Sequence, residues 1–348
     1  MAAKRIQVSL DDITYYTLPG SSGDFKAEMA QVNDTIFGQS FQSETPSIGM
    51  WNIGGQAFYK GVAGYTAAIK KGGTSTTVSA GAMTLVSGKT YRINDATKRM
   101  MSLANPVTVY DNAVNHTADL LSIDYLNGTV TFAAAYTVTG AVTMDYFYLP
   151  LTTLGKGRSF SLTQSAAEID DTDYAAAQAN GGWRTHSLGL KQVGLEVGNI
   201  WDAANDFVDI LLARTQLYVE VSPDNTQGNA TTEVMFRGIF KYMSQSQQGN
   251  VGALEEETLN LNLYVPESSL LVKPFGWYFG TTPGLSTAVK ICIQAWENGT
   301  KLYLKYTPDG TVGKKGQAIV TEASLANAMD GQNEFTFTFK GTGAPADI

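Results

Sequence analysis

The residues able to do chemistry are few in this chain, and their spacing brings no reactive set together. The only two histidines, His116 and His186, lie in polar turn or strand contexts, where a surface or hydrogen-bonding role is the simplest reading. The single cysteine, Cys292, stands between Ile291 and Ile293, the setting of an ordinary buried thiol, and it rules out an internal disulfide framework. The His-x-x-x-His and Cys-x-x-Cys spacings that a zinc site would use are missing. Asp170, Asp171 and Asp173 could offer carboxylate oxygens to Ca²⁺, but their segment lacks the glycine and terminal glutamate of an EF-hand loop. Gly310-Thr-Val-Gly-Lys-Lys315 lacks the phosphate-loop register and reads as a solvated hairpin tip. Glu255-Glu-Glu257 precedes an alternating strand and reads as a solvated turn, and nothing singles out a carboxylate pair for glycoside hydrolysis. The expectation is a protein that is not an enzyme, with no catalytic residues, no cofactor and no metal.

What remains is architecture. The chain has 348 residues, enough for two or three domains, with 43 % hydrophobic but only 16 % charged residues, 35 glycines and 11 % aromatics. An average globular protein carries about 25 % charged residues. Many hairpin turns, polar-aromatic strand faces and extensive subunit contacts would produce this profile. The formal net charge of −8 argues against gripping nucleic acid through its phosphates, although an acidic wall could still enclose it without sticking. Met-Ala-Ala-Lys-Arg leads directly into an alternating strand, and no run of about 18 apolar residues occurs, so a soluble, unsecreted product without a membrane partner is expected.

The strongest pattern is an internal duplication. Leu217-Tyr-Val-Glu-Val-Ser-Pro-Asp224 reappears as Leu302-Tyr-Leu-Lys-Tyr-Thr-Pro-Asp309. Each is followed by a glycine-centred strand, Phe236-Arg-Gly-Ile-Phe240 or Gly316-Gln-Ala-Ile-Val320, and then by an alternating one, Thr258–Tyr264 or Glu334–Lys340. Each is also preceded by an amphipathic helix. The first begins near Asp202, a plausible N-cap, with Ala204, Phe207, Val208, Leu211 and Leu212 on one stripe. The second spans Thr287–Trp296, with Val289, Ile293 and Trp296 at helical spacing.

Upstream, the halves differ. Short strands broken by glycines fill 5–70, clearest at 34–41 and 50–59. A separate β-rich segment occupies 71–150, with a hairpin turn at Asn127-Gly128. Residues 155–266 make one complete unit, in which 165–182 is a polar, acidic excursion loop. Too few residues precede the second helix to supply its upstream strands, so 267–345 is expected to complete a discontinuous unit with the N-terminal strands.

The order of features from 158 to 265 resembles the tail tube proteins of bacteriophages with long, non-contractile tails (siphophages). It runs from Ser165-Ala-Ala-Glu-Ile-Asp-Asp-Thr-Asp173 and Trp183 through Gly189 to the helix, Tyr218-Val-Glu-Val, Phe236-Arg-Gly238 and a closing alternating strand. The C-terminal copy ends in the same way, at Phe335-Thr-Phe-Thr-Phe-Lys-Gly-Thr-Gly343. The resemblance implies a mainly β fold of sandwich or barrel units, each flanked by an α-helix, here duplicated and carrying an inserted segment. It implies a structural virion protein, assembled in the host cytoplasm, whose rings stack into a conduit for DNA. Three duplicated chains, rather than six single ones, would supply the six positions of a ring. The implied partners are further copies of the chain, the tape measure protein, the tail terminator and the distal tail proteins, with double-stranded DNA passing through the lumen unbound. Glu168, Asp170, Asp171, Asp173 and Tyr174 would form an inter-ring loop, mobile in free subunits. From its separate hairpin pattern, Gly/Thr-rich entry and Pro150 exit, the 71–150 segment is expected to be dispensable for the tube wall, lying on its outside or bridging subunits. The alternative reading is a carbohydrate-binding or adhesive β-protein of a virion or cell surface, with exposed Trp and Tyr stacking on sugars.

Overall fold

The structure is a computed structural model. It describes residues 5–20, 22–33, 44–59, 67–154, 156–200, 207–226, 228–248, 255–265, 273–282, 284–328 and 333–348. The fold is mainly β. The N-terminal stretch forms β1 (Arg5–Ser9), β2 (Tyr16–Thr17), β3 (Ser22–Asn33), β4 (Glu44–Tyr59) and β5 (Ala68–Gly72). Seven strands follow in a sheet of their own: β6 (Thr76–Ser87), β7 (Thr90–Ile93), β8 (Thr108–Asp111), β9 (Val114–Asn115), β10 (Leu120–Asp124), β11 (Thr129–Phe132) and β12 (Val142–Tyr148). Next come β13 (Leu151–Thr153), β14 (Lys156–Asp170), α1 (Tyr174–Ala179), β15 (His186–Ile200), α2 (Phe207–Ala213), β16 (Gln216–Ser222), β17 (Val234–Gln248) and β18 (Glu256–Leu263). The chain ends with β19 (Phe275–Phe279), α3 (Thr287–Asn298), β20 (Leu302–Thr307), β21 (Lys314–Ala328) and β22 (Asn333–Asp347).

Two compact units result: Met1–Lys60 with Ser161–Val193 and Leu285–Ile348, and Gly61–Phe160 with Gly194–Gly284. In the first, strands follow the order β3-β4-β22-β21-β20-β1-β2, and β14 also pairs with β21. Its core is built on the alternation of β22, which buries Phe335, Phe337 and Phe339 as a stack with centroids 6.0 and 6.1 Å apart. α3 lies on β21 and β1 with Val289, Ile293 and Trp296 buried. In the second unit, β18-β17-β16-β5-β13 run in order, β15 joins β18, and α2 lies on β17.

The duplication extends to topology, register and irregularities. β14-β15-β18-β17-β16-β5-β13 repeats the order β3-β4-β22-β21-β20-β1-β2. Val219 faces Gly238 across β16 and β17, and Leu304 faces Gly316 across β20 and β21. Both glycines permit close approach: a Cβ at Gly238 would meet the Phe240 ring, and one at Gly316 the Trp51 ring. Five residues beyond each glycine the ladder skips one residue, at Met243 and at Thr321, so each copy bulges at the same place. The copies differ in where the chain enters. β1 and β2, joined by Leu10–Tyr15, correspond to β5 and β13, which are separated by the whole seven-stranded segment. One copy (β5, β13–β15, α2, β16–β18) is therefore nested within the sequence of a flanking copy (β1–β4, α3, β20–β22).

Several sequence-based expectations change. Ala68–Gly72, which the sequence-based boundary at 70/71 divides between the N-terminal strands and the inserted segment, is one strand that pairs with β16 and belongs to the nested copy. The hairpin at 127–128 forms, but with a four-residue loop from Tyr125 to Gly128. Asp124 Oδ1 accepts from the amides of Leu126 and Asn127, and only Gly128 takes a positive φ, so no type I′ turn is needed. The 165–182 stretch is not an excursion loop. β14 runs to Asp170, and a six-residue helix follows, capped by Asp173, which accepts from the Ala176 amide at 2.6 Å. The expected strand at 34–41, Ala204 and the proposed cap Asp202 lie outside the described residues.

The two helix ends match as well. Gly299 (φ 69°) and Arg214 (φ 52°) both take the left-handed conformation. Thr300 N then donates to Ala295 O and Thr215 N to Ile210 O, the Schellman pattern. A Cβ in this conformation costs about 1–2 kcal/mol, partly offset by the entropy that glycine loses on folding. Arg214→Gly should therefore stabilise by about 1 kcal/mol and raise the melting temperature by about 2–4 °C. Gly299→Ala should lower it. A fall for Arg214→Gly would show that the arginine side chain outweighs the backbone.

Candidate assembly interface

The position facing Glu220 shows what each copy does with its first connection. Arg237 is fully buried and donates from Nε and Nη2 to Glu220 Oε2 at 2.8 and 2.7 Å, while its Nη1 donates to the Leu126 carbonyl at 2.7 Å. Lys70 stands 3.6 Å from the other Glu220 oxygen. Leu126 itself packs on Met235, Ile239 and Tyr278. The inserted segment is thus fastened into the nested copy's unit through one loop. A second pair, Arg99 and Glu233 at 3.5 Å, fastens it again, and burial draws the Arg99 guanidinium down to about 10. In the flanking copy the same two positions hold Lys305 and Lys315. Their repulsion is met by the six-residue connection: Asp12 pairs with Lys315 at 3.1 Å, and Lys305 Nζ lies 3.7 Å over the Tyr15 ring. The hydrogen bond from Tyr15, with Lys315 beside it, holds the Asp12 carboxyl below its usual range.

The acidic residues singled out by sequence are tied to their own chain. Glu168 pairs with Lys340 at 3.2 Å and Asp170 with Arg184 at 2.9 Å, and the Asp171 amide donates to Thr185 O. Asp173 caps the short helix that Tyr174 begins. The aspartates do not converge: among the described residues no group of three or more His, Cys, Asp or Glu could hold a metal. On the first helix Phe207 is buried against Tyr242, but Leu212 is 73 % exposed. Five residues on, it has turned about 140° from Phe207, and it occupies the position that Glu297 holds in α3. Cys292 is buried, as its neighbours imply, and burial raises its thiol pKa well above the ordinary value. His186, expected in a polar strand or turn, is buried with Nδ1 3.0 Å from Gly341 O, whereas His116 pairs with Asp119 at 2.8 Å. No described helix is long and apolar enough to cross a membrane.

Sequence reasoning missed the junction between the copies. β14, the first hairpin strand of the nested copy, pairs with β21 of the flanking copy, past the point where β20 leaves it. The Gln164 amide donates to Ser324 Oγ at 3.3 Å, and Leu162, Gln164, Ala323 and Leu325 are buried there. The pattern of small and polar residues on β21 carries no mark of this role, which only the strand order reveals.

No protein-family model matches the sequence, and no curated protein matches it. Among solved structures, the chain is similar to one described as the tail of an empty GTA particle computed with helical refinement in C6 symmetry. The identity is 14 %, over 38 % of this chain and 87 % of that one, with a TM-score of 0.29.

Proposed function

We propose that this chain is a structural, self-assembling subunit of a tube, without enzymatic activity, like the phage tail tube proteins its sequence resembles. The observation that carries this reading is the head-to-tail link between β14 and β21, by which one chain already joins two copies of the same sheet in series. A heterologous link of this kind closes into a ring when its rotation closes. Three chains supply six copies, rings stack into a tail tube of the virion, and an acidic wall lets double-stranded DNA pass without sticking. Tape measure, terminator and distal tail proteins would be the natural neighbours of such a tube.

Negative-stain microscopy of the purified chain, with native mass measurement, tests this. Rings or tubes built from multiples of three chains are expected. A chain that stays monomeric at every concentration would overturn the reading, and rings of six chains would overturn the role given to the duplication.

A further inference from the structure

The intramolecular junction has an open counterpart in each copy, among the described strands. In the flanking copy, β21 pairs with β20 only as far as Ala318, and β14 takes the vacated edge. In the nested copy, β17 pairs with β16 only as far as Lys241, and among the described strands nothing takes the same edge from Tyr242 to Gln248. Conversely β3, the counterpart of β14, pairs on one side with β4 and on the other with no described strand. Met29 and Met243 stand on these two open edges, 51 % and 55 % exposed.

We infer that the open edge of β17 receives β3 of a second copy of this chain, in the register that β14 takes on β21. The register follows from the ladders. Leu261 pairs with Tyr242 as Phe339 pairs with Val320, which makes Ser246 the equivalent of Ser324. Leu195 faces Leu261 as Ile53 faces Phe339, so Gly198 is equivalent to Gln56. Gly198 lies against Ser159 as Gln56 pairs with Ser22. Counting on from Ser159 and Ser22, Gln164 matches Ala27, and the expected contact sets Ala27 of one chain against Ser246 of the next. Neither strand offers a steric obstacle there: Ala27 is small and exposed, and Tyr242-Met-Ser-Gln-Ser-Gln-Gln248 has no charge or proline to guard it. Backbone pairing supplies affinity, as in other strand-addition contacts. Among the described strands each chain has one β3 edge and one β17 edge for this contact, so it propagates head to tail.

This inference rests on the proposed self-assembly, and the test separates the two. In the Ala27→Cys, Ser246→Cys double variant, mild oxidation should yield covalent species of two and three chains. Each single variant should remain at one chain mass, because Cys292 is buried. A second variant, Met243→Lys, places a charge on the exposed edge without touching a core and should raise the concentration needed for assembly at least about tenfold, the equivalent of about 1.4 kcal/mol. Rings or tubes that form normally in Met243→Lys, or without cross-links in the double variant, would overturn the β3–β17 contact while leaving tube formation intact. Failure of the unmodified chain to assemble at all would overturn both.

Discussion

Truncation of Arg237 to alanine should cost about 3–5 kcal/mol, because it leaves Glu220 as a buried carboxylate with Lys70 as its remaining described ion-pair partner at 3.6 Å. The Leu126 carbonyl would lose its donor in the same step. The equivalent change in the flanking copy, Lys315→Ala, should cost no more than about 1 kcal/mol, since Lys315 and Asp12 are both about one-third exposed. Denaturant midpoints of the two variants measure the contrast. Replacing both buried partners, as Glu220→Gln with Arg237→Met, should recover much of the loss, because the fully buried carboxylate is removed together with its guanidinium and Lys70, the partly exposed third member, keeps its hydrogen bond to Asn225 Oδ1. Similar small losses at positions 237 and 315 would show that the Glu220–Arg237 pair does not hold the inserted segment.

Excision of 74–150 with a short Gly/Ser bridge should sharply reduce soluble yield, contrary to the expectation that the segment is dispensable. It would uncover Met235, Ile239 and Tyr278, which Leu126 now covers, and leave Arg237 Nη1 without its carbonyl. The flanking copy shows what a short connection needs. Gln7, Lys305, Lys315 and Gln317 stand there where the nested copy has Lys70, Glu220, Arg237 and Ile239, and Gln317 donates to the Tyr303 hydroxyl at 2.8 Å. Grafting Leu10–Tyr15 in place of the segment, together with Lys70→Gln, Glu220→Lys, Arg237→Lys and Ile239→Gln, should restore a soluble, cooperatively melting chain. Full yield and an unchanged melt from the simple excision would show that the segment is an independent appendage after all.

The duplication was legible because Leu-Tyr strands, Pro-Asp turns and central glycines survive in both halves. Its details were hidden for identifiable reasons. A Leu-x-Leu or Phe-x-Phe strand matches itself at any even shift, so sequence set Leu259 beside Phe335 whereas the ladders set it beside Phe337. Strands of five residues such as β1 and β5 are too short to show kinship, which concealed that β5 belongs to the nested copy. Arg214 masks a helix end that glycine announces at Gly299. Asp173 is of a residue type that caps helices, but the helix it caps has six residues, too few for periodicity to declare it. Glu220 and Arg237 lie 17 positions apart in sequence, and only the register makes them cross-strand neighbours. Of the helix and loop residues that the sequence singles out, Phe207, Val289, Ile293 and Trp296 are core, and the acidic residues are locally tethered.

Nesting one copy inside another also sets a timetable for synthesis. The hairpin of β3 and β4 leaves the ribosome well before the strand that covers it, β22, which begins at Asn333. At about 5–20 residues per second, the intervening chain takes roughly 15–55 s to make. Throughout that interval Trp51 and Ile53 have no Phe339 or Gly341 to pack against, while the nested copy is completed between them. The nascent chain therefore carries a hairpin whose own partner is unmade, while finished chains present the β17 edge that no described strand covers. On the proposed β3–β17 contact, premature pairing between unfinished and finished chains becomes a hazard during translation, most acute at high expression.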